Sequence, residues 1–251
     1  MPALNPVIAP FAQTRRLTAR SAARETDSSF ANNGGALPAQ STGATRNINV
    51  VAHPLARFAL AGLRDRQTPP GQFRSYCSQL LAVLAIDSTR TLPTREEPTP
   101  PSLEFHGAKV LGKPVVFIAL SRHGLGLAHQ VADFIPNLSV GLISVRRAEN
   151  ARHLEARLHL VNAPALNEAR VILFNPVVAT GLSTGIALDL LRNSGAEDVV
   201  LLSFLTGAAG LDHILKTFPG LTVWTAAIES DWDCRRGPLP GLGDFGERLY
   251  G

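Results

Sequence analysis

The sequence is short of cysteine, of long apolar runs and of clustered charge of one sign, and each shortage closes a class of function. Two cysteines, Cys77 and Cys234, are too few for a disulfide scaffold and lack the paired spacing of a zinc site. They point to a reducing compartment, and neither is a strong candidate nucleophile. The longest apolar stretches, such as VVFIAL and VVLLSFL, have the length of strands and fall far short of the roughly 20 residues that span a bilayer. No membrane partner is expected. The charge balance is +4, from 24 Lys+Arg against 20 Asp+Glu. Residues 1–48 hold Arg15, Arg16, Arg20, Arg24 and Arg46 against Glu25 and Asp27, five minus two, which is +3 of that excess. A nucleic-acid surface clusters its cations on the folded part, so no nucleic-acid partner is expected either.

What is present is an ordinary globular composition, 45% apolar and 18% charged over 251 residues, enough to bury a full core in one or two domains. Residues 1–48 are rich in Ala, Ser, Thr, Gly and Pro without apolar periodicity, and are read as a disordered extension. The first 24 residues carry four arginines and no acid, the composition of an organelle transit peptide; an untargeted extension is the preferred reading. The segment has no continuous apolar core of the secretory type, and the expected location is cytoplasmic.

Residues 49–251 form the expected domain. Apolar spacing predicts helices over 54–68 and 71–87, followed by a Pro-rich break, RTLPTREEPTPPSL. Six strand-length runs come next: KPVVFIAL, LSVGLISV, ARLHLV, ARVILFNP, DVVLLSFL and LTVWTAAI. Helical patterns over 126–134, 185–192 and 209–217 lie between several of them, the last two ending in Gly or Pro signals. Strands apolar on both faces, alternating with helices, imply an α/β fold with a parallel sheet flanked by helices. Chemistry is then sought in the loops at the carboxyl ends of the strands.

Three motifs occur by letter. Gly241, Gly243 and Gly246 spell a dinucleotide-type GxGxxG, but too little chain follows for the helix and strand the motif requires. Gly107, Gly112 and Lys113 approximate a P-loop, yet Pro114 stands where a hydroxyl should bind magnesium. Gly181, Ser183 and Gly185 spell the GxSxG of a hydrolase elbow, but the sole histidine downstream, His213, sits beside Asp212 within one predicted helix. The same segment, VILFNPVVATGLSTG, has a second reading. A strand, a turn of small and hydroxyl residues and a helix start would aim backbone N–H groups, with Thr180, Ser183 and Thr184, at one spot on the positive end of a helix dipole. That is a phosphate cradle, with simple N-capping by Ser183 or Thr184 as the alternative.

This segment resembles the phosphoribosyl pyrophosphate (PRPP) loop of phosphoribosyltransferases, and NPVVATGLS is similar to the DPMLATGGS of the uracil phosphoribosyltransferase family. Other stretches agree in order. HPLARFALAGLRDRQTPPGQFR resembles the family's first helices, SRHGLGL its pyrophosphate loop, GLISVRRAEN the strand leading to its flap, and TAAIESDWDCRRGPLPGLGDFGERLYG its uracil-binding tail. The resemblance runs from about His53 to Gly251 and implies a phosphoribosyltransferase-type parallel sheet with a flap hairpin. It also implies transfer of 5-phosphoribosyl from PRPP to N1 of uracil, in pyrimidine salvage, giving UMP and pyrophosphate with Mg²⁺.

By the same resemblance Arg122 and Arg147 would hold the pyrophosphate. Asn175, Pro176, Val177, Val178, Ala179, Thr180, Gly181, Leu182 and Ser183 would hold the ribose 5-phosphate. Backbone at Pro238, Gly243 and Phe245 would read uracil, while Asp244 would touch both the base and the PRPP side. Asn175 and Asp244 are the implied catalytic residues. Mg²⁺ would be held through PRPP, with no protein metal site. A homo-oligomer, dimer or higher, and a nucleotide effector such as GTP are further implied. The chain departs from the pattern at five positions. Asn175 replaces an Asp. Leu182 replaces the second Gly, where a left-handed backbone would cost roughly 1–2 kcal/mol. Ala148 replaces an acid, and Gly237 and Pro238 replace an aromatic and an aliphatic. The alternatives to the enzyme are therefore a catalytically weak PRPP- or nucleotide-binding regulator and a GxSxG serine hydrolase.

Overall fold

The computed structural model describes residues 17–21, 47–97, 108–147, 154–160, 163–230, 232–233, 237–238 and 242–250. Strand β1 is Leu17–Ser21 and β2 is Ile48–Val50; helices α1, Pro54–Arg64, and α2, Pro70–Thr89, follow. Next come β3 (Thr94–Glu97), β4 (Ala108–Leu111), β5 (Val115–Leu120), α3 (Arg122–Leu125) and α4 (Ala128–Ala132). The middle of the chain forms β6 (Ser139–Arg147), β7 (Leu154–Leu160), β8 (Arg170–Phe174), β9 (Val177–Val178) and α5 (Leu182–Asn193). It ends with β10 (Asp198–Gly207), α6 (Ala208–Thr217), β11 (Thr222–Glu229), β12 (Trp232–Asp233), β13 (Gly237–Pro238) and α7 (Phe245–Tyr250).

The main sheet has the order β1-β7-β6-β5-β8-β10-β11-β2, with β9 paired to β10. Its centre is parallel, and β7 and β1 run antiparallel at one edge. All six residues of β5 are buried, which is why its sequence shows no polar alternation. Side chains divide by parity. Val115, Phe117 and Ala119 pack with Phe174, Phe204 and the buried stripes of α1 and α2, while Val116, Ile118 and Leu120 pack with Leu173, Leu201 and helices α5 and α6. The chain leaves β5 toward β6 on one side and returns to β8 on the other, so the order reverses between β5 and β8. A ligand crevice belongs at the carboxyl ends of those two strands.

Local chemistry sets the helix ends. His53 Nδ1 accepts from Leu55 N at 3.2 Å with Pro54 in the first turn, and α1 stops at Arg64 because Asp65 is extended. Of the predicted helix over 126–134 only α4, residues 128–132, forms; Gly126 and Leu127 separate it from the single turn α3 that precedes it. Within the Pro-rich break residues 94–97 form β3, which pairs with β4 beyond the break; β3 is exposed at every position and so carries no apolar signal. Strands β6 and β7 form the expected antiparallel hairpin. Strand β1 falls inside the extension read as disordered; the otherwise open edge of β7 orders these five residues through backbone pairing, Leu17 opposite Leu158.

At the amino ends of the strands Asp198 bridges two cations, Lys113 Nζ at 2.6 Å and Arg170 Nε at 2.7 Å. Burial pushes its carboxyl up, but the hydrogen bonds from Arg170 and Lys113 outweigh that and hold it below the ordinary carboxylate range. Asp198→Asn should cost about 1 kcal/mol at neutral pH. A carboxyl depressed by folding stabilises fully above its unfolded value, about 3.9, and the benefit disappears as pH falls through the folded value. Urea melts of the two proteins should therefore differ at pH 7 and converge in that acid window. A gap that persists there would contradict the bridge.

Candidate functional site

The site is built where β8 ends. Asn175 N donates to Leu202 O at 3.0 Å. Pro176 has no N–H, but its carbonyl accepts from Phe204 N and Leu205 N at 3.0 and 3.2 Å, which keeps the chain against β10 as β9. The backbone then turns at Gly181, φ 78°, the left-handed N-cap of α5. Gly181 has no side chain to cap this helix; Leu182 N makes a long contact to the Thr180 hydroxyl at 3.5 Å, and the N–H groups of Ser183 and Thr184, in the same first turn, point toward an anion site. The left-handed residue is thus Gly181 and not Leu182. Leu182 is the first helical residue, half exposed at 45%, and the strain expected from its side chain does not arise.

Two glycines make the turn possible. A Cβ at Gly181 would lie 2.6 Å from Gly210 O, and one at Gly210 would lie 2.0 Å from Ala179 O. The loop therefore rests directly on the first turn of α6, backbone against backbone. Gly185, by contrast, faces open space. Asn175 Nδ2 donates to the hydroxyl of buried Thr184 at 3.0 Å, tying the start of the loop to the helix it enters.

A cleft of about 230 Å³ opens over this turn. It is lined by Asn175, Val177, Ala179, Thr180, Gly181, Leu182, Ser183 and Thr184, together with Leu120 and Ser121 from the end of β5 and Val145 of β6. The structure thus gathers most of the expected phosphate loop at the strand-order reversal. Pro176 and Val178 are buried beneath it. Sequence reasoning missed Ser121, whose φ of 82° is unusual for a residue with a side chain. Arg122 follows it in the chain and is exposed. Arg147 ends β6 two residues past Val145, and its side chain lies outside the described residues, as does Ala148.

The tail residues do not line the cleft. Pro238 pairs with Trp232 in a two-strand ribbon. Gly243 is left-handed, φ 67°, and Asp244 Oδ1 accepts from Glu247 N at 2.9 Å, starting α7. Phe245 is buried against Phe73 and Phe204, with ring centroids at 5.6 and 6.1 Å. Its side chain is core, which leaves only its backbone for a ligand. Between tail and cleft stands His123, whose ring lies 6.4 Å from Phe245 and 5.8 Å from Tyr250. Burial and then the neighbouring Arg122 lower its pKa, with Asp244 opposing them.

Among the described residues no histidine lines the cleft to serve Ser183 as a hydrolase base; His213 is exposed on α6, and Asp212 Oδ2 is paired with Lys216 Nζ at 2.7 Å. Cys77 is buried and its thiol is pushed up to about 12 by that burial, which suits an inert core residue. Among the described residues no three of His, Cys, Asp and Glu are grouped to hold a metal. Among them, too, no helix is long and apolar enough to cross a membrane.

Known proteins agree with this geometry. The family model described as uracil phosphoribosyltransferase matches residues 50–251. A uracil phosphoribosyltransferase of Thermosipho africanus is 33% identical over 205 residues, 81% of this chain and 98% of that protein. One of Paraburkholderia phytofirmans is 32% identical over 208 residues, 82% of this chain and 95% of that protein. A solved protein of Aquifex aeolicus superposes with a TM-score of 0.71 at 22% identity, covering 81% of this chain and 97% of its own. The adenine phosphoribosyltransferase of Trypanosoma brucei, solved with AMP, pyrophosphate and ribose-5-phosphate, gives 0.50 at 12% identity over 74% of this chain and 85% of its own.

Proposed function

This chain belongs to the uracil phosphoribosyltransferase family, and from that premise we propose that it transfers the 5-phosphoribosyl group of PRPP to N1 of uracil. The bond between ribose C1 and the pyrophosphate oxygen breaks, the oxygen keeping the electron pair. The N1–C1 bond forms, and the N1 proton passes to the departing pyrophosphate or to water. UMP and pyrophosphate are the products. The observation that carries this reading is the anion-ready start of α5 beneath a cleft at the strand-order reversal.

In this reading the turn 175–183 grips the 5-phosphate through its amides and the hydroxyls of Thr180 and Ser183. Loop 121–126, with Arg122, and Arg147 at the end of β6 receive the pyrophosphate, where guanidinium offers paired donors and a permanent charge. The backbone at Pro238, Gly243 and Phe245 reads the base, and Asp244 stands between base and PRPP. Positioning and electrostatics do the catalytic work, since the protein forms no bond of its own.

The cleft offers hydroxyls and amides, donors for phosphate oxygens, and among the described residues no acidic cluster for a bare cation. Mg²⁺ fits as an ion carried in on PRPP, and when bound it neutralises the departing pyrophosphate. The domain is residues 49–251, acting in the cytoplasm as a homo-oligomer, dimer or higher, with a nucleotide such as GTP as effector. The family likeness is what supports these last points.

The first test is UMP and pyrophosphate formation from PRPP, uracil and Mg²⁺ by the full chain; PRPP bound without product would favour the regulator. Asn175 is the observation on that side, because its amide is committed to Thr184 and supplies no charge to an oxocarbenium sugar. A carboxylate could still accept from the Thr184 hydroxyl. Asn175→Asp should fold normally and raise kcat about tenfold, read by initial rates. An unchanged or lower kcat would show the amide to be adequate as it stands.

A further inference from the structure

We propose that Tyr250 and His123 are positioning residues that hold the pyrophosphate loop 121–126 in its binding shape from the base-reading tail, so that a change in the tail is felt as a change in PRPP affinity. The proposal rests on the phosphoribosyl-transfer reading. Loop 121–126 has little of its own to hold it. Helix α3 is a single turn of four residues, and the chain enters it through Ser121 in a backbone region unfavourable to any side chain. Such a conformation persists only when its surroundings over-determine it.

One restraint comes from the sheet, Ser121 N donating to Ile143 O at 3.0 Å. A second is Gly124, buried so tightly that a Cβ there would lie 3.2 Å from Ala119 Cβ and from the Phe174 ring, and the rest come from α7. The Tyr250 hydroxyl donates to Arg122 O at 3.0 Å, and Gly126 lies so close beneath it that a Cβ there would be 2.7 Å from the oxygen. The His123 ring faces Tyr250 and Phe245, and Gly246 is bare where a Cβ would lie 2.5 Å from Nε2. The other ring nitrogen, Nδ1, is 3.4 Å from Ser121 Oγ. Helix α7 is itself fixed to the core through Phe245 and Leu249, so the loop leans on an anchored support. Neither Tyr250 nor His123 lines the cleft. They act through the Ser121 side chain and the Arg122 backbone.

The test uses the full chain and reads PRPP affinity twice, by calorimetric titration with PRPP and Mg²⁺ and as KM in UMP formation. Tyr250→Phe keeps the ring and removes one hydroxyl. Its PRPP Kd and KM should rise about fivefold, the equilibrium value of one net hydrogen bond, while the uracil KM and kcat stay at their wild-type values and the unfolding midpoint falls only slightly. His123→Ala should raise the PRPP KM further. The double variant should fall short of the product of the two single effects, because both act on one loop. Wild-type PRPP affinity in Tyr250→Phe, or a loss confined to the uracil KM, would overturn the proposal. If the wild-type chain binds PRPP but makes no UMP, the transfer reading fails and the titration still decides the linkage. If it binds no PRPP, both fall.

Discussion

Gly210→Ala should weaken PRPP binding and lower the rate of UMP formation about a hundredfold, the rate penalty for misplacing a reacting group by roughly 1 Å. The added methyl would sit 2.0 Å from Ala179 O, 2.9 Å from Ala179 C and 3.0 Å from Gly181 N, all of them backbone atoms of the phosphate loop. None of these can swing aside as a side-chain tip would, so the loop must lift from α6. The helix itself should not suffer, because alanine is the better helix former by about 0.8–1.0 kcal/mol. Calorimetry with PRPP, set beside a thermal melt, separates the two effects. Wild-type affinity would mean that the loop does not depend on this seat.

Arg248→Met should lower kcat/KM for uracil about a hundredfold, from a loss of roughly 3 kcal/mol in docking the tail. The Arg248 guanidinium donates to the carbonyls of Leu63, Asp65 and Leu242, and it lies over the Phe73 ring at 4.3 Å from the centroid. Charge-assisted bonds to carbonyls exceed neutral ones, and removing the donor strands three acceptors at once. Methionine keeps much of the stem's packing against Phe73, so what is lost is the anchoring of α7 to the first two helices. Saturation with uracil at fixed PRPP measures it. An unchanged uracil KM would show that Phe245, Leu249 and the Arg74 bond to Leu249 O dock the tail unaided.

What could be read from the sequence was what apolar periodicity and small-residue loops encode. Strands such as β5, β8 and β10 are buried on both faces and announce themselves as unbroken apolar runs. That residues 175–184 gather at one cleft was legible because small and hydroxyl residues between a buried strand and a helix mark a turn at the strand's carboxyl end. The exposed hairpin β3–β4 and the edge strand β1 were not, since backbone pairing at a sheet's margin leaves no hydrophobic pattern. The position of the left-handed residue was misjudged by one. The family pattern pointed to the second glycine position, now Leu182, but the turn spends its unusual φ at Gly181. Gly210 and the His123–Tyr250 contact lay beyond reach for a different reason. Each joins segments far apart in the chain, and only the packed structure brings them together. A glycine interrupting a helical pattern was the sole hint of the first.

The ion bridge of Asp198 and the turn proposed to bind phosphate stand at opposite ends of the same strands. Six residues of β5 and five of β8, at about 3.3 Å each, put roughly 17–20 Å between them. At physiological ionic strength the Debye length is about 8 Å, and both ends open to solvent. Neutralising the anchor is therefore electrically silent at the cleft. Acid that loosens the scaffold and acid that titrates the chemistry act through separate groups, so the two inactivations can be tuned independently of each other.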